Sequence, residues 1–369
     1  MTTTTTTSTT TLSLFTRRVY HLPPPPLPKT KHSNRASFLD FARRHDLDRS
    51  STVFVGNLYE YTVQADLRHA AALCLHRTGG RSDHGIDHLG TWHLPGHETP
   101  LHVAVQCKAH RRRVGPACIR ELEGVLARRM PHTWRLAAHN PPRVGMLVNY
   151  REATAGVRTA LQRSSLPLVY LMVDLRGTLR QALWNEAVEA LGVAPLGVEV
   201  VHGLKEGEAE AEAEAPVNLP GKPEANGETE LRKQLAWWEE EGEVIPSGGL
   251  PELHSGTHNS QTPPIRLTWD GQELPGMDEV EALMLRQEEK WWRLWNLWPE
   301  DQETKYEALS VIQSRFPEEK PLLWATGGVP SLLSEKDRAG LVRELEAMGL
   351  SRGVAEEQSQ SQSQAPSPT

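Results

Sequence analysis

Leu101-His102-Val103-Ala104-Val105-Gln106-Cys107-Lys108-Ala109 alternates in the manner of a β-strand. Successive side chains of a strand point to opposite faces. Leu101, Val103, Val105 and Cys107 therefore face one way, towards a core, while Ala104, Gln106 and Lys108 face the other. Gln106 and Lys108 then stand side by side, roughly 6–7 Å apart at Cα. An amide and an ammonium on a strand this apolar are costly to bury unless they are used. The plainer alternative is an edge strand with one solvated face.

The preceding segment, 85–94, also reads as a strand, and the turn-forming 95–100 separates the two. Strands joined by a short turn pair antiparallel, which brings Asp87 beside Gln106 and Lys108. A carboxylate oxygen from Asp87, the amide oxygen of Gln106 and the backbone carbonyl of Cys107 make a set of ligands for one hard divalent cation. Mg²⁺ (or Mn²⁺) suits such a set because it accepts few protein oxygens and keeps several waters. Lys108 would orient or help deprotonate an attacking water and offset phosphate charge, which is metal-assisted phosphodiester hydrolysis. Glu60 is a further candidate. It shares a helical stripe with Val63, Leu67, Ala71 and Cys74, so it faces the core. Asn57-Leu58-Tyr59-Glu60 equally fits a capping box, in which Glu60 reaches back to the Asn57 amide.

Further out, the spacing predicts regular structure from about residue 51 to 202. Helices are expected over 57–75, 115–129, 153–162 and 179–191. Strands are expected over 85–94, 101–109, 143–150, 168–175 and 196–202. That order gives an α/β fold with a mixed central sheet flanked by helices. An acidic Glu/Ala repeat at 206–215 opens a flexible insertion. Beyond it come one more strand and turn over 265–274, a tryptophan-rich helix over 277–298 and a helix over 335–348.

Gly56-x-x-x-Glu60 on a helix, Asp83-x-Gly85-x-Asp87 and Gln106-x-Lys108 together resemble the Mrr-type branch of the restriction-endonuclease-like, PD-(D/E)xK nucleases. Within that group the chain is similar to the required for respiratory growth protein 7 family of fungal mitochondrial proteins. The resemblance runs from about residue 52 to 202 and resumes near 265. It implies a restriction-endonuclease-like core in which Asp87 is the metal carboxylate, Gln106 fills the slot usually held by Asp or Glu, and Lys108 is the catalytic lysine. Glu60 matches the helix-borne acid. Mg²⁺ (or Mn²⁺) is the implied cofactor and nucleic acid, mitochondrial DNA in particular, the implied partner. Gln106 departs from the acidic pattern and lacks the charge that strengthens metal binding. The expected organisation is a transit peptide and Pro/Thr-rich segment over 1–48, the core over 51–204, the acidic insertion over 205–263, a C-terminal strand and Trp-rich helical extension over 264–350, and a tail over 351–369. The expected reading is a nuclease domain, or a non-catalytic mitochondrial binding or scaffolding protein on the same fold.

The remaining features bear on location and partners. No Asp or Glu precedes Asp40, while Arg17, Arg18, Lys29, Lys31 and Arg35 lie among many hydroxyl residues. That pattern predicts import into mitochondria, the plainer alternative being an ordinary disordered tail. On either reading this segment stays outside the fold, and the import reading places the protein in the matrix. Arg111, Arg112 and Arg113 follow directly on the Lys108 strand, with Arg120, Arg128 and Arg129 on the next helix. Such a cluster either meets a polyanion or forms a solvated face. Trp291, Trp292, Trp295 and Trp298 fall at helical spacing, as a docking face against the main domain or a base-stacking surface. The net charge of −7 argues against wholesale coating by nucleic acid. No apolar run approaches the ~18 residues of a membrane span. Cys74, Cys107 and Cys118 form neither a paired framework nor a metal-ligand spacing.

Overall fold

The computed structural model describes residues 12–23, 31–78, 85–109, 113–128, 142–202, 262–297, 299, 301–325 and 331–350. In chain order the elements are α1 (Leu14–Val19), α2 (Arg35–Arg44), α3 (Thr52–Ala70), β1 (Leu73–Arg77), β2 (His88–Trp92), β3 (Leu101–Lys108), α4 (Pro116–Arg128), β4 (Arg143–Asn149), α5 (Ala155–Arg163), β5 (Leu168–Val173), β6 (Leu179–Trp184), β7 (Leu196–Val200), β8 (Ile265–Trp269), β9 (Gln272–Glu273), α6 (Met277–Leu294), α7 (Gln302–Arg315) and α8 (Glu335–Ala347). They fall into two units. A sheet unit comprises Pro25–Trp92 and Leu101–Gly276, and a helical unit comprises Met1–Pro24, His93–Pro100 and Met277–Thr369.

The sheet unit holds a six-stranded sheet in sequential order, β1-β2-β3-β4-β5-β6. β1, β2 and β3 pair antiparallel, β3, β4 and β5 parallel, and β6 returns antiparallel on β5. This is a mixed α/β arrangement with helices on both faces. The parallel pairs follow from α4 and α5, each a crossover helix between neighbouring strands. Ile119, Leu122, Val125 and Leu126 of α4 and Val157 and Leu161 of α5 pack on Ala104, Leu147, Tyr170 and Met172. The alternation along β3 therefore has the expected sense, but both faces are covered. The edge-strand alternative is excluded, since β3 lies between β2 and β4.

α3 starts earlier and ends sooner than the spacing suggests. Ser51 caps it, accepting the Phe54 N–H at 3.2 Å, so Asn57 lies well inside the helix and the Asn57–Glu60 capping box does not form. At the other end Ala72 adopts a left-handed conformation (φ +51°), which breaks the helix. The apolar run Leu73-Cys74-Leu75, which continues the helical stripe in the sequence, becomes β1. α2, not anticipated from the sequence, is capped by a reciprocal Asn34–Ser37 box and packs Phe38 and Ala42 against Phe54, Leu58 and Tyr61. The first half of the expected helix over 179–191 is instead β6, and only the second half is helical, as a turn at Glu186–Val188 that widens into a π-helical stretch over Glu189–Val193. The cause is a tight turn in which Asp174 accepts the N–H groups of Arg176 and Thr178 at 2.9 Å each. It folds the helix-favouring segment back onto β5, where pairing outweighs propensity. The strand at Ile265–Trp269 pairs antiparallel with β7, and so belongs to a second sheet of this unit, not to the C-terminal helices.

The helical unit is built around α6. Met284, Trp291 and Trp295 are completely buried, and Trp291 Nε1 donates to Glu319 Oε1 at 3.0 Å. Trp291, Trp292 and Trp295 thus lie in the core of the helical unit, too buried to offer a stacking platform; Trp298 lies outside the described residues. The described residues 12–23 are part of the same core, although the sequence reading leaves them outside the fold. Phe15 of α1 sits 5.6 Å from the Trp292 ring and 5.3 Å from that of Tyr306. Thr16 Oγ1 donates to Glu288 Oε2 at 2.7 Å, and Lys305 holds the other oxygen of Glu288 at 2.6 Å. α7, also unanticipated, is capped by Asp301 and buries only Ala308, Leu309 and Ile312, too few to leave a legible stripe. No helix among the described residues is long and apolar enough to cross a membrane.

Candidate functional site

Asp87 lies where β2 begins, and the ladder fixes its backbone from both sides. Its N–H donates to the Val105 carbonyl at 2.9 Å, and its own carbonyl accepts the Thr78 N–H at 2.8 Å. Its carboxylate reaches across and accepts the Cys107 N–H through Oδ2 at 2.7 Å. A side-chain oxygen thereby stands beside the Gln106–Lys108 segment, where the next backbone carbonyl of β2 would otherwise pair. Gly85 makes this approach possible. Its φ is +82°, and a Cβ there would lie 2.9 Å from Gln106 Nε2 and 3.3 Å from Glu121 Oε1.

Gln106 is 1% exposed, yet neither its Oε1 nor its Nε2 has a hydrogen-bond partner among the described residues. Burying an amide in this state costs free energy that a bound group could recover. Lys108, on the same face, points its ammonium to Glu121 of α4, 3.3 Å from Oε2. Asn149, the register partner of Lys108 on β4, donates from Nδ2 to the Lys108 carbonyl and accepts the Arg151 N–H at 2.7 Å. Asp87, Gln106 and Lys108 are thus brought together at the end of β3. Glu121 and Asn149 complete the surroundings, and sequence reasoning named neither. Glu121 sits on the half-exposed side of α4, where a lone glutamate gives no periodic signal. Asn149 sits at a strand end, where it reads as punctuation.

Glu60 is placed differently. Its Oε2 accepts a hydrogen bond from Arg77 Nε at 2.5 Å, and Arg77 also donates to Asn57 Oδ1. Arg77 lies over the ring of Tyr61 at 5.3 Å, and the Tyr61 hydroxyl donates to the His32 carbonyl at 3.2 Å. Burial works against the Arg77 cation, but Glu60 and Tyr61 outweigh it and hold its pKa above the ordinary value. His88 and Cys107 border this network, their Nδ1 and Sγ 3.9 Å apart. Burial, with help from Arg77 and His76, pushes His88 down to about 3, so its ring is neutral. Burial and the Asp87 and Glu60 carboxylates push the Cys107 thiol well up, so it is neither a nucleophile nor a thiolate ligand.

Of the basic cluster, Arg113 and Arg120 are exposed, while Arg111, Arg112 and Arg129 and the side chain of Arg128 lie outside the described residues, as do Asp83 and the acidic insertion. Among the described residues no group of three or more His, Cys, Asp or Glu side chains is gathered as a metal cluster. What is present is a fixed carboxylate beside an amide without partners. That donor set matches a hard cation that takes few protein ligands, and does not match zinc.

The fold and site define a class: a mixed α/β domain carrying a carboxylate, an amide and a lysine at the end of a central strand. The family described as Required for respiratory growth protein 7 matches residues 51–99 and 95–201, which span the six-stranded sheet and β7. Required for respiratory growth protein 7, mitochondrial, of Eremothecium gossypii is 30% identical over 172 residues, covering 37% of this chain and 70% of that protein. Its namesake in Saccharomyces cerevisiae is 26% identical over 183 residues, 38% of this chain and 74% of that one. An uncharacterized mitochondrial protein of Schizosaccharomyces pombe is 29% identical over 178 residues, 47% of this chain and 67% of that one. The chain belongs to the required for respiratory growth protein 7 family. Its relatives are mitochondrial by name, and this chain is a mitochondrial protein in the same sense. No solved structure matches it.

Proposed function

We propose that the sheet unit has a restriction-endonuclease-like core and cleaves nucleic-acid phosphodiester bonds in the mitochondrial matrix, with Mg²⁺ or Mn²⁺ held at Asp87, Gln106 and the Cys107 carbonyl. Mitochondrial DNA is the substrate this reading favours. The observation that carries it is the buried, unpartnered amide of Gln106 next to the clamped carboxylate of Asp87. An amide left in that state inside a packed sheet is a ligand position more readily than a packing choice. The bound cation would offset the negative charge that develops on the phosphate. Asp87 contributes a carboxylate whose direction the Cys107 N–H fixes. Lys108, with its side chain 18% exposed, can reach a phosphate oxygen or the attacking water. Arg113 and Arg120 supply exposed positive charge nearby in sequence, and Arg111 and Arg112 extend it.

A second reading is a non-catalytic nucleic-acid-binding or scaffolding role on the same fold. It is favoured by the pairing of Arg77 with Glu60 and of Lys108 with Glu121, which satisfies both cations without a substrate. The deciding experiment incubates the full chain with labelled DNA and RNA under Mg²⁺ or Mn²⁺, beside Asp87→Ala and Lys108→Ala. Metal-dependent cleavage that both substitutions abolish supports the nuclease. Salt-sensitive binding without cleavage, equal in all three proteins, refutes it and supports the binding role.

A further inference from the structure

Gln106 brings an amide where a second negative charge would help to hold a divalent cation, so of the proposed ligands Asp87 is the one that carries a charge. One of its oxygens is already engaged by the Cys107 N–H at 2.7 Å. The charge must come from elsewhere if a cation is to bind with useful affinity. Glu60 is poorly suited. Its side chain and that of Arg77 are 15% and 13% exposed, and separating a pair so buried leaves an uncompensated charge. Glu121 differs on the carboxylate's side. Its side chain is 50% exposed, against 18% for its partner Lys108 at 3.3 Å, so the acid can turn away at less cost than one buried on both sides of its pair.

Its position points to the same role. Glu121 Oε1 and Gln106 Nε2 lie 3.3 Å and 2.9 Å from one point, the place a Cβ on Gly85 would occupy. The gap left by Gly85 is therefore flanked by a carboxylate from α4 and by an amide from β3 that is 1% exposed and has no partner. An amide turned about its terminal torsion presents its oxygen to that gap as readily as its nitrogen.

We propose that Glu121 is the second carboxylate of the cation site. It ligates Mg²⁺ or Mn²⁺ together with Asp87 and the Gln106 amide oxygen, and in the cation-free protein it holds Lys108. The inference rests on the reading that Asp87 and Gln106 take a cation, and adds a coupling to it. A cation that draws Glu121 inward releases Lys108, so the ammonium becomes available to phosphate only when the site is loaded. The pair at 3.3 Å is then a resting arrangement, exchanged on loading for two more useful contacts.

The test is Mn²⁺ binding by the full chain without nucleic acid, followed by the electron paramagnetic resonance of free Mn²⁺. Glu121→Gln should weaken binding at least tenfold, and Asp87→Asn should abolish it. Glu123→Gln, which removes the same charge from the same helix two positions away, should stay within about twofold of the parent. Thermal melts of each variant show that the fold is retained. A second readout is the rate at which Lys108 is modified by an amine reagent, mapped by mass spectrometry. Mn²⁺ should raise that rate severalfold in the parent and leave it unchanged in Glu121→Gln, where it is already high. Parent-like Mn²⁺ affinity in Glu121→Gln overturns this assignment while leaving the Asp87 site standing. Absence of Mn²⁺ binding in the parent overturns both.

Discussion

Replacing Gln106 by Met should make the protein more stable, although it removes a polar group from the middle of the candidate site. Gln106 is 1% exposed, with Oε1 and Nε2 both unpartnered among the described residues. An unsatisfied buried polar group costs about 1–3 kcal/mol. Methionine has nearly the same length and volume, and a swap of that kind costs less than about 1.5 kcal/mol in packing. The difference is a gain on the order of 1–2 kcal/mol. For a unit of this size each kcal/mol moves the midpoint by about 2–4 °C, so a rise of roughly 2–8 °C is expected. Differential scanning calorimetry of the full chain suits the measurement, because it can separate the sheet and helical units if they unfold independently. Mn²⁺ should raise the midpoint of the parent and fail to raise that of Gln106→Met. A fall of 1 kcal/mol or more in the metal-free variant would refute the reasoning, because it would mean that the amide is already satisfied at rest.

Arg77→Met should destabilise the sheet unit by about 3 kcal/mol in urea unfolding, because Glu60 would lose the cation that compensates it; Arg77→Lys should recover only part, since one ammonium cannot reproduce the fork that reaches both Glu60 and Asn57. Asp66 gives a pH signature. Its Oδ2 is buried without a partner, and burial together with Asp174, against the opposing pull of Arg35, raises its carboxyl from 3.8 to about 8. Between those values the folded chain keeps a proton that the unfolded chain releases, so this group makes stability fall as pH rises from about 4 to 8, by at most about 1.4 kcal/mol per pH unit. Asp66→Asn should flatten that limb and stabilise most near pH 8, while the acid limb set by neutral His88, lost as pH falls below 6.5, should remain. An unchanged profile between pH 5 and 8 would sink the assignment.

The sheet was legible wherever one rule governed a segment. β3, β4 and β5 each announce themselves by apolar runs of strand length, and α4 and α5 by a single apolar stripe between them. The alternation along β3 alone places Gln106 and Lys108 on one face, and turn logic brings Asp87 beside them. Where two rules compete, the sequence is silent. Leu73-Cys74-Leu75 satisfies a helical stripe and a buried strand equally, and only the left-handed Ala72 decides between them. The residues of β6 favour helix, and only the Asp174 turn, set by contacts made after folding, makes them a strand. Glu60 reads as a core-facing acid in either case, but its partner Arg77 comes from a strand that periodicity did not show. Glu121 could not be read at all, because its significance is the glycine-sized gap opposite it.

The burial of α1 sets an order on events as the chain is made and delivered. Thr16 bonds to Glu288 across 272 positions, and Phe15 N–H bonds to the Gln302 side chain across 287. A chain that emerges from its N-terminus first, whether from a ribosome or through a membrane pore, exposes Phe15 long before α6 and α7 arrive to cover it. The entropy cost of loop closure grows only slowly with that distance, but closure cannot begin until the last element is present. During that interval Phe15 and Val19 of α1 have nothing to pack against. Once the ends are joined, its apolar side is sealed inside the helical unit. Phe15 and Val19 are thus covered only when the last helices arrive, while Arg18 stays exposed throughout, and folding itself is the clock.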